Sequence, residues 1–165
     1  MCQQMNEDIF KRIANEIKIL HVGAIEHIKK REYAEAAIQY RKALMITEKI
    51  SYFEGMAIIL FNMANLAIVV GDLIEAMKNV ADARDIFEKA QLPHDHCCEL
   101  IDQLALSMKK RGIEYEKKGK FQEAIELFET CIPFADKKSK QAMQHEVELL
   151  RKIVNDRSLK IAEHS

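Results

Sequence analysis

Apolar residues recur three or four positions apart along most of the chain, which is the period of an amphipathic α-helix and not of a β-strand. The breaks between these stretches predict seven helices, the first from Asn6 or Asp8 to about residue 30. The others are predicted at about 33–49, 52–70, 73–91, 95–118, 121–136 and 139–157. No alternating strand pattern occurs, so the sequence predicts an all-α fold.

Particular residues are expected to start and stop these helices. Candidate N-terminal caps, whose side chains accept hydrogen bonds from unpaired backbone amides, are Asn6 or Asp8, Ser51, Asp72 and Asp95, and Ser139 is expected to begin the last helix. Gly71 and Gly119 are candidate C-terminal stops. Leu92–Pro93 is expected to break the fourth helix, and Pro133 to kink or shorten the sixth. The tail from Ser158 to Ser165 is expected to fray.

One pattern of small and large residues occurs three times. Its centre is an alanine near the start of every second helix, at Ala36, Ala76 and Ala124. Large apolar residues stand three before and four after these alanines, at Tyr33 and Tyr40, Leu73 and Val80, and Phe121 and Phe128. Small residues stand twelve before them, at Ala24, Ala64 and Gly112. Small residues let two helices approach closely while large ones fill the gaps beside them, so the pattern predicts tightly packed helix pairs.

This pattern resembles the tetratricopeptide repeat, and it does so most plainly at Gly112, Tyr115, Gly119, Phe121, Ala124 and Phe128. The resemblance implies one domain over residues 1–165, with repeats at about 17–50, 57–90 and 105–138 and a capping helix at about 139–157. It implies a right-handed superhelical stack of antiparallel helix pairs. The centres of the repeats are more widely spaced than the usual unit of about 34 residues, which long helices explain.

In this family the first helix of each pair lines a concave groove, so the resemblance implies a scaffold that binds a peptide or helix of a partner protein. The residues that helical spacing directs into the groove are Lys18, His21, Val22, Ile25, Ile58, Phe61, Asn62, Asn65, Leu106, Lys109, Lys110 and Ile113. Asparagine amides suit a peptide backbone, the lysines an acidic group, and the apolar members an amphipathic helix. The alternative for Ile25, Ile58 and Phe61 is burial in the core.

Some tetratricopeptide domains clamp a chaperone C-terminus with lysine, asparagine and arginine side chains. The matching positions here carry His21, Ile25, Asn62, Leu106 and Lys110, and only Asn62 and Lys110 match in type. The sequence therefore argues against such a clamp. The rival hypothesis for function is a structural or regulatory module that self-associates, including as a homodimer, through its groove or an exposed apolar end.

Composition narrows the classes of function without choosing one. The 165 residues include 25 basic and 26 acidic ones, for a formal charge of -1, so there is no basic excess to favour nucleic acid. The apolar run Met56–Val70 carries Asn62 and Asn65 and is shorter than the roughly 20 residues of a membrane helix, which predicts a buried helix. Four irregularly spaced cysteines and no signal-peptide pattern favour the reducing cytoplasm.

The segment from His94 to Cys98 resembles a metal site in composition, because it holds His94, Asp95, His96, Cys97 and Cys98. Adjacent residues at a helix start point in different directions and no second Cys/His pair lies nearby, so a polar turn is the preferred interpretation. A thiol at a helix start is nevertheless expected to have a lowered pKa. No phosphate-binding loop, nucleophile motif or metalloprotease motif occurs, so we expect no enzymatic activity and no cofactor.

Overall fold

The structure is a computed structural model that describes residues 2–163, with side chains described from residue 7 to residue 158. Seven α-helices occupy nearly all of this range and no strand occurs within it, which confirms the predicted all-α class. The helices are α1 Cys2–Lys29, α2 Tyr33–Lys49, α3 Phe53–Val70, α4 Leu73–Lys89, α5 Asp95–Lys117, α6 Phe121–Cys131 and α7 Lys137–Glu163. A 3₁₀ turn at Ile132–Phe134 follows α6.

The chain forms two compact units, Met1–Cys98 and Glu99–Ser165, and the boundary falls inside α5. In the first unit α1 packs on α2, α2 on α3 and α3 on α4. In the second unit α5 packs on α6 and α6 on α7. Within each unit the connections are short, most of them of two or three residues, so consecutive helices of a unit run antiparallel, as in helical hairpins. The prediction of a single domain stays a prediction.

The repeated small residues are buried among the packed helices. Ala36, Ala76 and Ala124 are all fully buried, and so are Ala24 and Ala64, which stand twelve positions before two of them. At Gly112, the corresponding position of the third repeat, an added Cβ would lie 2.6 Å from Cε1 of Phe128. The spacing of small and large residues therefore identified buried positions in all three repeats and, at Gly112, a point where two helices nearly touch.

The helix ends follow the predictions in part. Gly71 ends α3 at φ 86° and Gly119 follows α5 at φ 71°, a left-handed conformation that glycine adopts without steric cost. The carboxylate of Asp72 accepts a hydrogen bond of 3.0 Å from the backbone amide of Glu75, which caps α4 as predicted. The helix α4 ends before Leu92–Pro93, and α6 ends before Pro133.

Five predictions about helix ends were wrong. In four of them the helix starts at a different residue, or a neighbouring residue or the backbone conformation takes the place of the predicted cap. Asn6 and Asp8 lie inside α1, which begins earlier, at Cys2. Ser51 adopts a left-handed φ of 54°, and Asp95 is the first residue of α5 instead of the residue before it. The last helix begins at Lys137 and is capped by Asp136, whose Oδ1 accepts amide hydrogen bonds of 2.9 Å from Lys138 and 3.0 Å from Ser139.

The predicted fraying from residue 158 is the fifth error, since α7 continues to Glu163. Residues 164 and 165 lie outside the described range. Helical spacing in the sequence predicts an apolar stripe at Ala142, Val147, Leu150 and Val154 on the last helix. In the structure Met143, Val147 and Leu150 are buried, whereas Ala142 is exposed.

The most apolar helix, α3, packs between α2 and α4. By length and composition alone it is the one helix in the described part of the chain that is long and apolar enough to cross a membrane. A core helix of a globular domain has the same composition, and the prediction of a core helix is confirmed by the burial of Ala57, Ile59, Leu60, Ala64, Leu66 and Ala67. Packing on two sides therefore accounts for its apolar sequence.

Candidate protein-binding surface

The predicted groove residues of α1 lie on a face that the core leaves open. Val22 is 45% exposed and Ile25 is 36% exposed, and Lys18 beside them is also exposed. His21 is half-buried, with its ring 5.9 Å from the ring of the buried Tyr40. This face thus presents branched apolar side chains together with one cationic side chain and one imidazole.

The predicted residues of α3 divide between the surface and partial burial. Ile58 is 42% exposed, whereas Phe61 and Asn62 are half-buried. Asn65 is exposed, and its Nδ2 donates a hydrogen bond of 3.1 Å to the backbone carbonyl of Phe61, so part of its hydrogen-bonding capacity is used within the helix. Ile25 and Ile58 are exposed, which contradicts the alternative of core burial for these two, whereas Phe61 is half-buried with its ring 4.8 Å from that of His96, as a residue at the edge of the core would be.

A cavity of about 260 Å³ lies between α1 and α3 at one end of this face. Three of the predicted residues line it, namely Lys18, His21 and Ile58. Its remaining lining includes Ala14 and Tyr52, which the sequence analysis did not identify. Ala14 stands one helical turn before Lys18, so extension of the same spacing finds it, whereas Tyr52 lies in the α2–α3 turn and has no periodic signal. We call the exposed faces of α1 and α3 together with this cavity the α1–α3 surface.

In the second unit, the predicted residues on α5 are all exposed. Leu106 is 72% exposed and Ile113 is 39% exposed, and Lys109 and Lys110 lie beside them. A cavity of about 300 Å³ adjoins Leu106 and Lys109 and is closed on its other sides by the 3₁₀ turn and the start of α7. The last helix therefore contributes to a candidate binding surface, although the sequence predicted only a capping role for it.

This second cavity combines charged and apolar walls. Asp102, Lys109 and Asp136 contribute charge, and Cys131 and Met143 are buried apolar members of its lining. The thiol of Cys131 donates a hydrogen bond of 3.7 Å to the carbonyl of Ala105, and burial raises its pKa to about 11. Since a thiol with a raised pKa is a poor nucleophile at neutral pH, Cys131 serves packing.

A third cavity, of about 360 Å³, lies between α2 and α4 and away from the predicted groove residues. Three of its polar lining residues, Asp72, Glu75 and Asn79, already form hydrogen bonds within the chain. Asp72 caps α4, and Nδ2 of the buried Asn79 donates a hydrogen bond of 3.4 Å to Glu75. Although this cavity is the largest of the three, a ligand there would compete with hydrogen bonds that α4 itself uses.

The histidines and cysteines from His94 to Cys98 do not converge on a common point. The Nδ1 atom of His94 lies 3.1 Å from the carbonyl oxygen of Leu92. The ring of His96 instead packs edge-on against the rings of Phe61 and Phe87, with centroids 4.8 and 5.3 Å away. Within the described residues, no three His, Cys, Asp or Glu side chains are grouped as a metal site requires. His94 lies in the connection before α5, and the residues from Asp95 to Cys98 form the first turn of that helix.

The expectation of a lowered thiol pKa at the start of α5 is wrong for Cys97. This residue is fully buried, and desolvation, assisted by the neighbouring Cys98, raises its pKa to about 11. Burial disfavours the thiolate more strongly than the helix start favours it. The next residue, Cys98, is exposed to solvent.

Comparison with known proteins does not place the chain in a family. No protein-family model matches the chain, and no curated protein matches it. Among solved structures, the chain is similar to the crystal structure of BtubC (BKLC) from P. vanneervenii, with 14% sequence identity and a TM-score of 0.41. The similarity covers 84% of this chain and 64% of that chain, so the chain spans less than two thirds of the length of BtubC.

Proposed function

We propose that this chain is a helical-repeat scaffold of the tetratricopeptide type, with long helices, which binds a peptide or helical segment of another protein. The observation that carries this proposal is the α1–α3 surface. There Val22, Ile25 and Ile58 remain 45%, 36% and 42% exposed on helices whose opposite faces are buried. Exposed apolar residues are common singly, but these belong to two helices, and Ile58 lines the cavity between them.

The chemistry of the surface indicates the kind of segment it fits. A cavity of about 260 Å³ accommodates an apolar side chain of the partner, with the buried Ile59 and the half-buried Ile17 supplying apolar contacts. Lys18 at the cavity favours a carboxylate nearby on that segment. An amphipathic helix with apolar anchors one turn apart and acidic flanks meets both requirements.

The scaffold has no chemistry of its own in this proposal, and it acts in the cytoplasm. The two thiols that the structure buries are not reactive groups, and the charged residues of the α1–α3 surface are suited to recognition. Cell fractionation with a tagged chain tests the location. A tagged chain recovered in a membrane or extracellular fraction would contradict it.

The binding test compares two substitutions that replace an exposed isoleucine by aspartate at different places on the surface. Ile58→Asp places a charge on the α1–α3 surface, and Ile38→Asp places the same charge on α2, where Ile38 is 47% exposed. A partner identified by affinity capture with the wild-type chain is purified and titrated against all three proteins by calorimetry. We expect Ile58→Asp to weaken binding by at least about tenfold and Ile38→Asp to leave it unchanged.

Equal binding by the wild-type chain and by Ile58→Asp would refute the proposed surface. Far-UV circular dichroism of both variants is the control for folding. Both substitutions replace exposed side chains, so the helix content of both variants is expected to match the wild type.

A further inference from the structure

The cavity of the α1–α3 surface has a wall that depends on a residue without a side chain. Gly55 is buried near the start of α3, and a Cβ added there would lie 2.3 Å from Cδ1 and 2.4 Å from Cε1 of Tyr52. The same Cβ would lie 3.1 Å from Cγ2 of the buried Thr47. The edge of the Tyr52 ring therefore occupies the space that a side chain at position 55 would fill.

The backbone holds Tyr52 in this position. Its amide donates a hydrogen bond of 2.9 Å to the carbonyl of Thr47, and its carbonyl accepts one of 3.0 Å from the amide of Met56. The side chain is 43% exposed and lines the cavity together with Gly55. Two backbone hydrogen bonds and the contact with Gly55 thus fix an aromatic wall at one edge of the cavity.

A second ring lines the cavity from α1. His21 is half-buried, and its ring lies 5.9 Å from that of Tyr40, which is only 2% exposed and limits its movement. Aromatic rings attract one another in offset or edge-to-face arrangements beyond the effect of the area that they bury. A cavity with rings from α1 and from the α2–α3 turn therefore favours an aromatic occupant over a saturated one of the same size. Aliphatic side chains complete the lining, namely Ala14, Ile17, Ile58 and Ile59.

The charge at the cavity indicates what lies beside this occupant. Lys18 is exposed at the lining, and the residues one turn before and after it in α1 are not acidic. In the part of the chain whose side chains are described, Lys18 forms no ion pair. Its ammonium group is therefore available to a carboxylate of the bound segment.

We propose that this cavity is a pocket for one aromatic side chain of the partner segment. In this pocket Tyr52, held against Gly55, selects aromatic over aliphatic side chains, and Lys18 pairs with a neighbouring carboxylate. The inference rests on the proposed function, because it names the anchoring residue of the segment that the α1–α3 surface binds. Tyr52 is accordingly a specificity-determining residue of that surface.

Two small probes test the preference without any partner protein. The anions 3-phenylpropanoate and 3-cyclohexylpropanoate have the same carboxylate and the same linker, and they differ only in whether the ring is aromatic. NMR titration of the ¹⁵N-labelled full chain measures both dissociation constants, which are expected on the order of 1 mM for ligands of this size. The ratio of the two constants is compared between variants, so that the greater hydrophobicity of the cyclohexyl ring cancels.

The decisive variants replace the exposed Tyr52 side chain. Tyr52→Leu keeps an apolar wall but removes the ring, whereas Tyr52→Phe keeps the ring. We expect Tyr52→Leu to shift the ratio about two- to tenfold towards the cyclohexyl probe and Tyr52→Phe to leave it unchanged. An unchanged ratio in Tyr52→Leu would overturn the proposal. So would the same shift in both variants, or a wild-type chain that binds neither probe at about 10 mM.

The contact with Gly55 and the role of Lys18 have their own variants. Gly55→Ala should displace the Tyr52 ring and weaken binding of the phenyl probe at least about tenfold, whereas Gly23→Ala, whose added Cβ has its nearest neighbour 3.9 Å away, should leave it unchanged. Lys18→Gln should weaken both probes equally and leave their ratio unchanged. Wild-type affinity in Gly55→Ala, confirmed as folded by circular dichroism, would contradict the proposed wall. Wild-type affinity in Lys18→Gln would contradict the proposed ion pair.

Titration with the captured partner distinguishes failure of this inference from failure of the proposed function. A partner that is bound less tightly by both Ile58→Asp and Tyr52→Leu supports the pocket. A partner that binds Tyr52→Leu as it binds the wild type, but loses affinity for Ile58→Asp, leaves the scaffold function in place and overturns the pocket. Unchanged binding to Ile58→Asp would overturn the proposed function, while the probe titrations still decide the preference of the cavity.

Discussion

The close contact between α5 and α6 at Gly112 makes a quantitative prediction about stability. In Gly112→Ala the new Cβ would lie 2.6 Å from Cε1 and 2.8 Å from Cζ of Phe128, both nearer than carbon atoms tolerate. Phe128 is only 2% exposed, so its ring cannot move into solvent to make room. Something in the packed α5–α6 pair must shift, and overpacking of this kind costs about 1–3 kcal/mol.

The gain in helix propensity opposes this cost. Alanine stabilises a helix interior by about 1 kcal/mol relative to glycine. Gly23 in α1 supplies the matched control, since a Cβ added there has Gln39 as its nearest neighbour, at an ordinary contact distance of 3.9 Å. We therefore expect Gly23→Ala to raise the free energy of unfolding by up to about 1 kcal/mol. Gly112→Ala should be about 1–3 kcal/mol less stable than that control when each is referred to the wild type.

The assay is urea denaturation followed by far-UV circular dichroism. If the two units unfold in separate transitions, each variant is compared with the wild-type transition of its own unit. A double-mutant cycle with Phe128→Leu then measures the coupling between the two side chains, which should exceed about 0.5 kcal/mol in favour of the double variant. The reasoning is refuted if Gly112→Ala gains as much stability as Gly23→Ala, or if the coupling with Phe128→Leu is zero.

Two further predictions concern titratable groups. Burial raises the pKa of Cys97 and Cys131 from 9.0 to about 11. At neutral pH, iodoacetamide should therefore label both thiols at least about 100-fold more slowly than the exposed Cys98. Peptide mass spectrometry measures the labelling rates, and similar rates for the three thiols would contradict the prediction. Hydrogen bonds from Ser139 lower the pKa of Asp136 below its ordinary value of 3.8. The ionised carboxylate therefore stabilises the folded state fully above about pH 4, and this stabilisation is lost as the pH falls through the lower pKa of the folded state. Denaturation should show that Asp136→Ala has a lower free energy of unfolding than the wild type at neutral pH, and that the difference shrinks below about pH 4. A difference that does not depend on pH would contradict the prediction.

The order of the helices could be predicted from the sequence because local signals decide it. Tyr33–Lys49 was predicted to the residue, and Gly71 and Gly119 were predicted as helix stops, which both are, in a left-handed conformation that glycine adopts readily. The caps at Ser51 and Asp95 were not. Ser51 takes a left-handed φ that closes the α2–α3 turn, and α5 starts one residue earlier than a capping role for Asp95 would require.

The candidate binding residues were predictable where helical spacing applies and not elsewhere. Ile58 and Leu106 were placed on exposed faces by their position relative to buried alanine and leucine neighbours. Tyr52 and Phe134 line the cavities from a turn and from a 3₁₀ segment, where no period exists to direct a side chain. The exposure of Ile9 on α1 also escaped prediction, because Ile9 has the same spacing as the core residues Ile17, Leu20 and Ala24 that follow it.

The sequence by itself determined that this protein is all helical and which small residues lie at the helix contacts, because helix period and side-chain size act over a few neighbouring positions. Only the tertiary structure decided which apolar residues remain in solvent. The exposure of Ile9 and Phe10 depends on where α2 ends, and that of Ile58 on how α1 and α3 lie side by side. Burial is a property of the neighbours that the fold supplies, and an amphipathic pattern is the same whether or not a neighbour is present.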